Sequence, residues 1–170
     1  MSFSLLPSIQ VDAITSLTAA DMKKWGIRLL MLDFDNTIVP YTTDIPTKKM
    51  LTWLQEMNAS DVQICVVSNS KNQRVQKFCK IYHIDCITHA RKPFSDGIIR
   101  CLKKYQIQPE ESALAGDQIF TDTLGANCVG VKSILVKAID NHNIWLKLRH
   151  VAELPFIYLG KNRSVQYEKH

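Results

Sequence analysis

The sequence predicts an α/β fold, a doubly wound three-layer sandwich around a mainly parallel sheet, and three observations carry that expectation. Short apolar runs alternate along the chain with stretches of helical periodicity. The runs are nearly continuous in apolar residues, as a strand buried on both faces requires, rather than alternating in and out. The intervals between them hold about one helix each, so right-handed crossovers are expected to cover both faces of the sheet.

The first run, "IRLLMLDF" (27–34), reads as a buried strand. "TKKMLTWLQEMNA" (47–59) places Met50, Leu51, Leu54 and Met57 on one helical face, with Thr47 as its cap after Pro46. "VQICVVSN" (62–69) is rich in β-branched residues and reads as the second strand. "NQRVQKFCKIYH" (72–83) returns to a helical period through Val75, Phe78 and Cys79. "IDCITH" (84–89) is a short third strand and "SDGIIRCLKKYQ" (95–106) a helix. "SALAGD" (112–117) and "KSILVKA" (132–138) are two more strands on either side of the helix-like "TDTLGANCVG". Residues 1–160 are expected to form a single domain, and "KNRSVQYEKH" (161–170) a polar C-terminal tail.

Composition narrows the setting. With 46% hydrophobic and 22% charged residues, the 170-residue chain is that of an ordinary globular protein. It has no apolar run near the roughly 20 residues of a membrane span. "MSFSLLPSIQVDAITS" lacks the basic-then-apolar order of a signal peptide, which makes the cytoplasm the expected location. Cys65, Cys79, Cys86, Cys101 and Cys128 are scattered, and no Cys-x-x-Cys pair suggests a disulfide framework or a zinc site. Within the net charge of +5, residues 71–104 carry nine Lys or Arg against two Asp. That stretch reads either as a solvated helix face or as a positive surface for an anionic substrate or lipid headgroup. No aromatic–basic interleaving marks a nucleic-acid partner.

The chemistry gathers at the strand ends, where open parallel sheets place their functional crevice. The first strand ends in Asp33, Asp35 and Thr37, the second in Ser68 and Asn69. Arg91, Lys92 and Pro93 follow the third; Gly116 and Asp117 end the fourth, with Asp122 just beyond. Asp33 and Asp117 could share a hard cation such as Mg²⁺, with the backbone carbonyl of Asp35 facing the metal. Asp33 is then the candidate nucleophile toward phosphorus, and Asp35 the candidate acid and base. Ser68 and Asn69 are candidates for holding phosphoryl oxygens, and Lys92 for offsetting charge on both Asp33 and the phosphate. Asp122 is the candidate to orient metal-bound water from behind the ligands. Thr37 reads as a turn hydroxyl, a brace for the first loop or a substrate contact, and Gln118 as a substrate contact or a solvated side chain.

"DFDNT", "SNS", "RKP" and "GDQIFTD" resemble the four ordered motifs of haloacid dehalogenase-like (HAD) phosphatases. Asp35, the second acid of the first motif, marks the phosphatase branch of that superfamily. "LLPSIQVDAI", "KKWGIRLLMLDFDNTIVPY" and "GDQIFTDTLGAN" are similar to its YqeG-type subgroup, class IIIA, over roughly residues 5–160. The resemblance implies a HAD-like Rossmannoid fold and Mg²⁺-dependent phosphomonoester hydrolysis through an aspartyl-phosphate. Relatives of the subgroup include a mitochondrial phosphatidylglycerophosphatase, which implies a lipid phosphate as one substrate. Ser70 departs from the Asn of many relatives, and the C-terminal part is less arginine-rich than theirs.

Spacing adds a further expectation. Asp33 and Ser68 stand 35 residues apart, and Ser68 and Lys92 stand 24 apart. Neither interval holds a cap domain, so an open site is expected, suited to a bulky or surface-presented substrate. The segment "NIWLKLRHVAELPFIYLG" (143–160), with Lys147, Arg149 and His150, reads as a docked helix, a dimer contact or an amphipathic membrane contact. A second class of function is a phosphate-sensing or scaffold protein that keeps the fold but hydrolyses little. Asp35 argues against it, because a pure phosphate acceptor has no use for a second acid two residues on.

Overall fold

Period-two alternation along the strands assigns their side chains to two separate cores, one on each face of a single sheet. The computed structural model describes residues 4–71, 73–140, 154–159 and 165–166. In chain order the strands are β1 (Ile9–Val11), β2 (Leu29–Leu32), β3 (Gln63–Val67), β4 (Asp85–Ile87), β5 (Ser112–Gly116), β6 (Lys132–Val136) and β7 (Val165–Gln166). The helices are α1 (Ala19–Lys24), α2 (Lys48–Asn58), α3 (Gln73–Ile81), α4 (Asp96–Tyr105) and α5 (Leu124–Val129), with a further helix at 154–159. On one face Leu30, Leu32, Ile64, Val66, Ala113 and Ala115 meet Met50, Trp53 and Leu54 of α2 and Val75 and Phe78 of α3. On the other face Leu29, Met31, Cys65, Val67 and Leu114 meet Ile98, Cys101 and Leu102 of α4 and Ala126 of α5. This is the three-layer sandwich expected from the apolar runs.

The strand order is β4-β3-β2-β5-β6-β1-β7, and every pairing is parallel. The chain winds outward from β2 through β3 to β4, and outward from β5 to β6 on the other side. The switch point falls between β2 and β5, where such sheets open a crevice. No cap domain stands among the described residues; the Asp33–Ser68 interval is filled by a loop and α2, the Ser68–Lys92 interval by α3 and β4.

Several elements differ from the sequence reading. β1 joins the sheet beside β6, and α1 follows it; neither was expected. Three residues of β1 are too few for periodicity to speak. α1 did carry a start signal, since Thr18 and Asp21 form a reciprocal capping box, the Thr18 amide donating to Asp21 Oδ2 at 2.8 Å. Thr47 caps α2 as read, its hydroxyl accepting from the Met50 amide at 3.2 Å. β2 ends earlier than the apolar run, because the chain turns where the amides of Ile38 and Val39 donate to the Phe34 carbonyl at 3.0 and 3.3 Å.

Most of the 143–160 segment, with Lys147, Arg149 and His150, lies outside the described residues. Its helix at 154–159 rests on the domain: the Phe156 ring meets Phe120 edge-on at 6.0 Å, and the Gln10 side chain donates through Nε2 to the Ile157 carbonyl at 3.1 Å. Of the polar tail, Val165 and Gln166 pair with β1. Among the described residues no helix is long and apolar enough to cross a membrane.

Candidate active site

Adjacency of β2 and β5 explains why acids far apart in sequence converge. The Asp33 amide donates to the Ala115 carbonyl at 2.8 Å, so Asp33 and Asp117 leave the sheet side by side. On the other flank β3 delivers Ser68, whose amide donates to the Ile87 carbonyl at 3.0 Å. The loop after β4 then brings in Lys92. Asp33, Asp35, Ser68, Asn69 and Lys92 line one open cavity of about 360 Å³, with Tyr41, Gln118 and Thr121 around it.

Asp33, on this lining, belongs with Asp117 and Asp122 to a buried cluster in which each offers an oxygen within 4.8 Å of the others'. The ammonium of buried Lys92 sits 2.7 Å from Asp33 Oδ1 and 2.6 Å from Asp122 Oδ1. Burial pulls this lysine's pKa down, but Asp122 and Asp33 outweigh it and carry the group above its ordinary value, so it stays charged. Burial likewise pushes Asp33 up to about 7, with Lys92 opposing and Asp122 and Asp35 adding to the rise. Three hard carboxylate oxygens brought this close together are the donor set a divalent cation takes. The residues present therefore fit a divalent metal.

Asp122 reaches the cluster because of the residues around it. A wide π-helical turn, Ile119–Thr123, leads into α5 and turns Asp122 back toward β5. There the Gln118 amide donates to its Oδ2 at 3.2 Å. A Cβ at Gly116 would run into this carboxylate, so glycine is what lets Asp122 lie against the strand end. The sequence reading gave Asp122 a supporting place; in the structure it stands within the cluster and pairs with Lys92 directly.

Asn69 clamps the loop that carries Lys92. Its side-chain amide donates to the Lys92 carbonyl at 2.9 Å, and its Oδ1 accepts from the Lys92 amide at 2.6 Å. Both ends of the side chain are thus engaged on backbone, although Asn69 lines the cavity. Ser68 Oγ accepts from the Ser70 amide at 3.1 Å, which leaves its own proton to donate. Thr37 is buried, is not among the residues lining the cavity, and its hydroxyl finds no hydrogen-bond partner among the described residues. Arg91 is exposed, in a left-handed conformation with φ of 58°.

Asp35 sits on the cavity wall, half-buried, with one carboxylate oxygen 2.8 Å from Arg74 Nη1. Burial raises its pKa, Arg74 opposes the rise and Asp44 adds to it, and the outcome lies above the ordinary carboxylate value. A carboxyl that keeps its proton longer is suited to donating one. Sequence reasoning did not single out Arg74; one arginine in a basic stretch carries no mark of its partner.

Comparison with known proteins agrees with this geometry. Residues 2–139 match the family described as mitochondrial PGP phosphatase. The chain is 31% identical over 131 residues to the "Probable phosphatase YqeG" of Bacillus subtilis, spanning 77% of this chain and 76% of that one. It is 22% identical over 143 residues to the glyceraldehyde 3-phosphate phosphatase of Pyrococcus furiosus, spanning 79% of this chain and 55% of that one. Among solved structures, the cobalt-bound deoxy-D-mannose-octulosonate 8-phosphate phosphatase of Haemophilus influenzae superposes with a TM-score of 0.54 at 10% identity, over 83% of this chain and 93% of that one. The magnesium-bound YfnB of Bacillus subtilis, titled a HAD-hydrolase, gives 0.54 at 11% identity, over 69% and 90%.

Family and relatives together define a phosphatase, an enzyme rather than a phosphate-sensing scaffold, on a fold shared with a haloacid dehalogenase-type hydrolase. Within that class the chain belongs to the mitochondrial PGP phosphatase family.

Proposed function

We propose that this phosphatase hydrolyses phosphatidylglycerophosphate, with Mg²⁺ as cofactor, through an aspartyl-phosphate on Asp33. The observation that carries the proposal is the position of Asp33 on the cavity lining, 2.7 Å from Lys92 and within the acidic cluster, with Asp35 on the wall of the same cavity. A carboxylate oxygen of Asp33 attacks phosphorus, and the bond to the leaving alkoxide oxygen breaks as Asp35 gives that oxygen its proton. Asp35, now ionised, takes a proton from water as the water oxygen attacks phosphorus and releases Asp33 and inorganic phosphate. Lys92 offsets negative charge on Asp33 and on the phosphoryl group, and Ser68 donates its hydroxyl to a phosphoryl oxygen. Asn69 serves the substrate by fixing the Lys92 loop. Asp33, Asp117 and the Asp35 carbonyl, with Asp122 beside them, would hold Mg²⁺, which would supply Lewis-acid polarisation of the phosphoryl oxygens.

An amphiphilic substrate suits the loops that carry the site. Tyr41 and Ile45, on the loop after β2, are 43% and 77% exposed, and Phe94, two residues beyond Lys92, is 74% exposed. Large apolar side chains left in water on the loops that carry Asp35 and Lys92 favour a ligand with an anionic head and an apolar body. The net charge of +5 favours an anionic surface as its source. The free cysteines, three of them buried, are in keeping with a reducing, cytoplasm-like setting. Phosphate release from phosphatidylglycerophosphate in mixed micelles with Mg²⁺, compared with soluble phosphomonoesters, tests the substrate. The lipid is expected to be turned over with the higher kcat/KM; activity confined to soluble esters would remove the lipid assignment.

A further inference from the structure

The α3 helix grips the loop after β2 with two side chains one turn apart, Arg74 and Phe78. Phe78 meets the buried Phe34 ring edge-on at 5.1 Å, and the Arg74 guanidinium lies 5.1 Å from the centre of the same ring. Phe34 stands between Asp33 and Asp35. The edge of the guanidinium is spread over the loop: Nη1 donates to Asp35 Oδ1 at 2.8 Å, Nε to Asp44 Oδ1 at 2.6 Å, and Nη2 to the Thr43 carbonyl at 3.1 Å. A planar fork with its face on an aromatic ring and its donors engaged has little freedom left.

We propose that Arg74 is the positioning residue for Asp35, holding the acid–base carboxyl toward the cavity and tying its orientation to the 40–45 loop that borders the substrate. The proposal rests on the acid–base reading of Asp35 given above. Arg74 engages one carboxylate oxygen and leaves the other for proton transfer. Without it, Asp35 is free to swing about its side-chain torsions, and a misplaced acid loses rate even when substrate still binds. Lysine is a poor substitute, because a point charge cannot reach Asp35, Asp44 and the Thr43 carbonyl in one fixed geometry.

The test is steady-state kinetics on a soluble alkyl phosphomonoester with Arg74→Gln and Arg74→Lys, each made in the wild-type and in the Asp35→Asn background, with thermal melts of all variants. In the wild-type background Arg74→Gln is expected to lower kcat about ten- to a hundredfold, with KM nearly unchanged. Arg74→Lys should recover part of that loss. In the Asp35→Asn background neither change should lower the residual rate further, since a residue acting through Asp35 has nothing left to position. Equal losses in the two backgrounds would overturn the proposal, as would a raised KM at unchanged kcat. Full turnover by Asp35→Asn would instead sink the acid–base reading, and this one with it. If Arg74→Gln does not fold, the Arg74→Lys pair makes the same comparison.

Discussion

The carboxylate of Asp122 lies directly against Gly116, at a spacing that admits no Cβ on the glycine. One bare backbone position at the end of β5 thus sets where an acid of the following turn can stand. Gly116→Ala should push Asp122 out of the cluster, weakening Mg²⁺ binding by about tenfold or more and costing about 1–3 kcal/mol through overpacking. Mg²⁺ titration of activity and a urea melt of the metal-free protein read the two effects separately.

Lys92 places its ammonium 2.7 Å from Asp33 and 2.6 Å from Asp122. Lys92→Met leaves three buried carboxylates together, and breaking such a buried pairing costs about 3–5 kcal/mol. The destabilisation should shrink when Mg²⁺ is present, because the cation takes over part of the charge balance. Chemical denaturation with and without Mg²⁺ measures this; a loss of stability that Mg²⁺ leaves unchanged would argue against a metal in the acidic cluster.

Asp33 gives a pH dependence whose sign can be worked out. Its pKa is raised from 3.8 to about 7 in the folded metal-free protein, so the native state holds this proton more tightly than the unfolded chain. The contribution to metal-free stability is complete below about pH 4 and is lost as pH rises to about 7. Mg²⁺ needs the ionised carboxylate and displaces the proton. The rise in Tm caused by Mg²⁺ should therefore be small near pH 5, grow through neutrality and then level off. Differential scanning fluorimetry across that range shows it, and a Tm gain independent of pH would count against Asp33 as a ligand.

The exposed Ile45 and Phe94 side chains are expected to separate lipid from soluble substrates. Ile45→Ser and Phe94→Ser should each lower activity on micellar phosphatidylglycerophosphate by about thirtyfold, in line with about 2 kcal/mol for each apolar side chain withdrawn from water. Turnover of a small soluble ester should be unaffected. A parallel loss on both substrates would mean that these side chains serve the fold rather than the lipid.

Much of this was legible in the sequence where residue type and strand end coincide. Asp33, Asp35, Ser68, Lys92 and Asp117 each follow an apolar run, and parallel strands deliver their ends to one edge whatever the details of packing. What could not be read depends on contacts between distant side chains. Arg74 is one basic residue among nine in its stretch, and only the packing of α3 on Phe34 shows that it faces Asp35. Asn69 read as a substrate contact because its type and place allow it, while its bonds to the Lys92 backbone arise from a loop whose course the sequence does not reveal. The strand at Ile9–Val11 was silent because three residues carry no period, though their pairing with β6 is unambiguous in the sheet.

The most direct test of the account is to quench the wild-type enzyme with acid during turnover of radiolabelled phosphatidylglycerophosphate in Mg²⁺-containing micelles. The account predicts a transient phosphoprotein whose label maps to Asp33 and which Asp33→Asn, folded but inactive, never forms. Undiminished turnover by Asp33→Asn, or label on another residue, would contradict it.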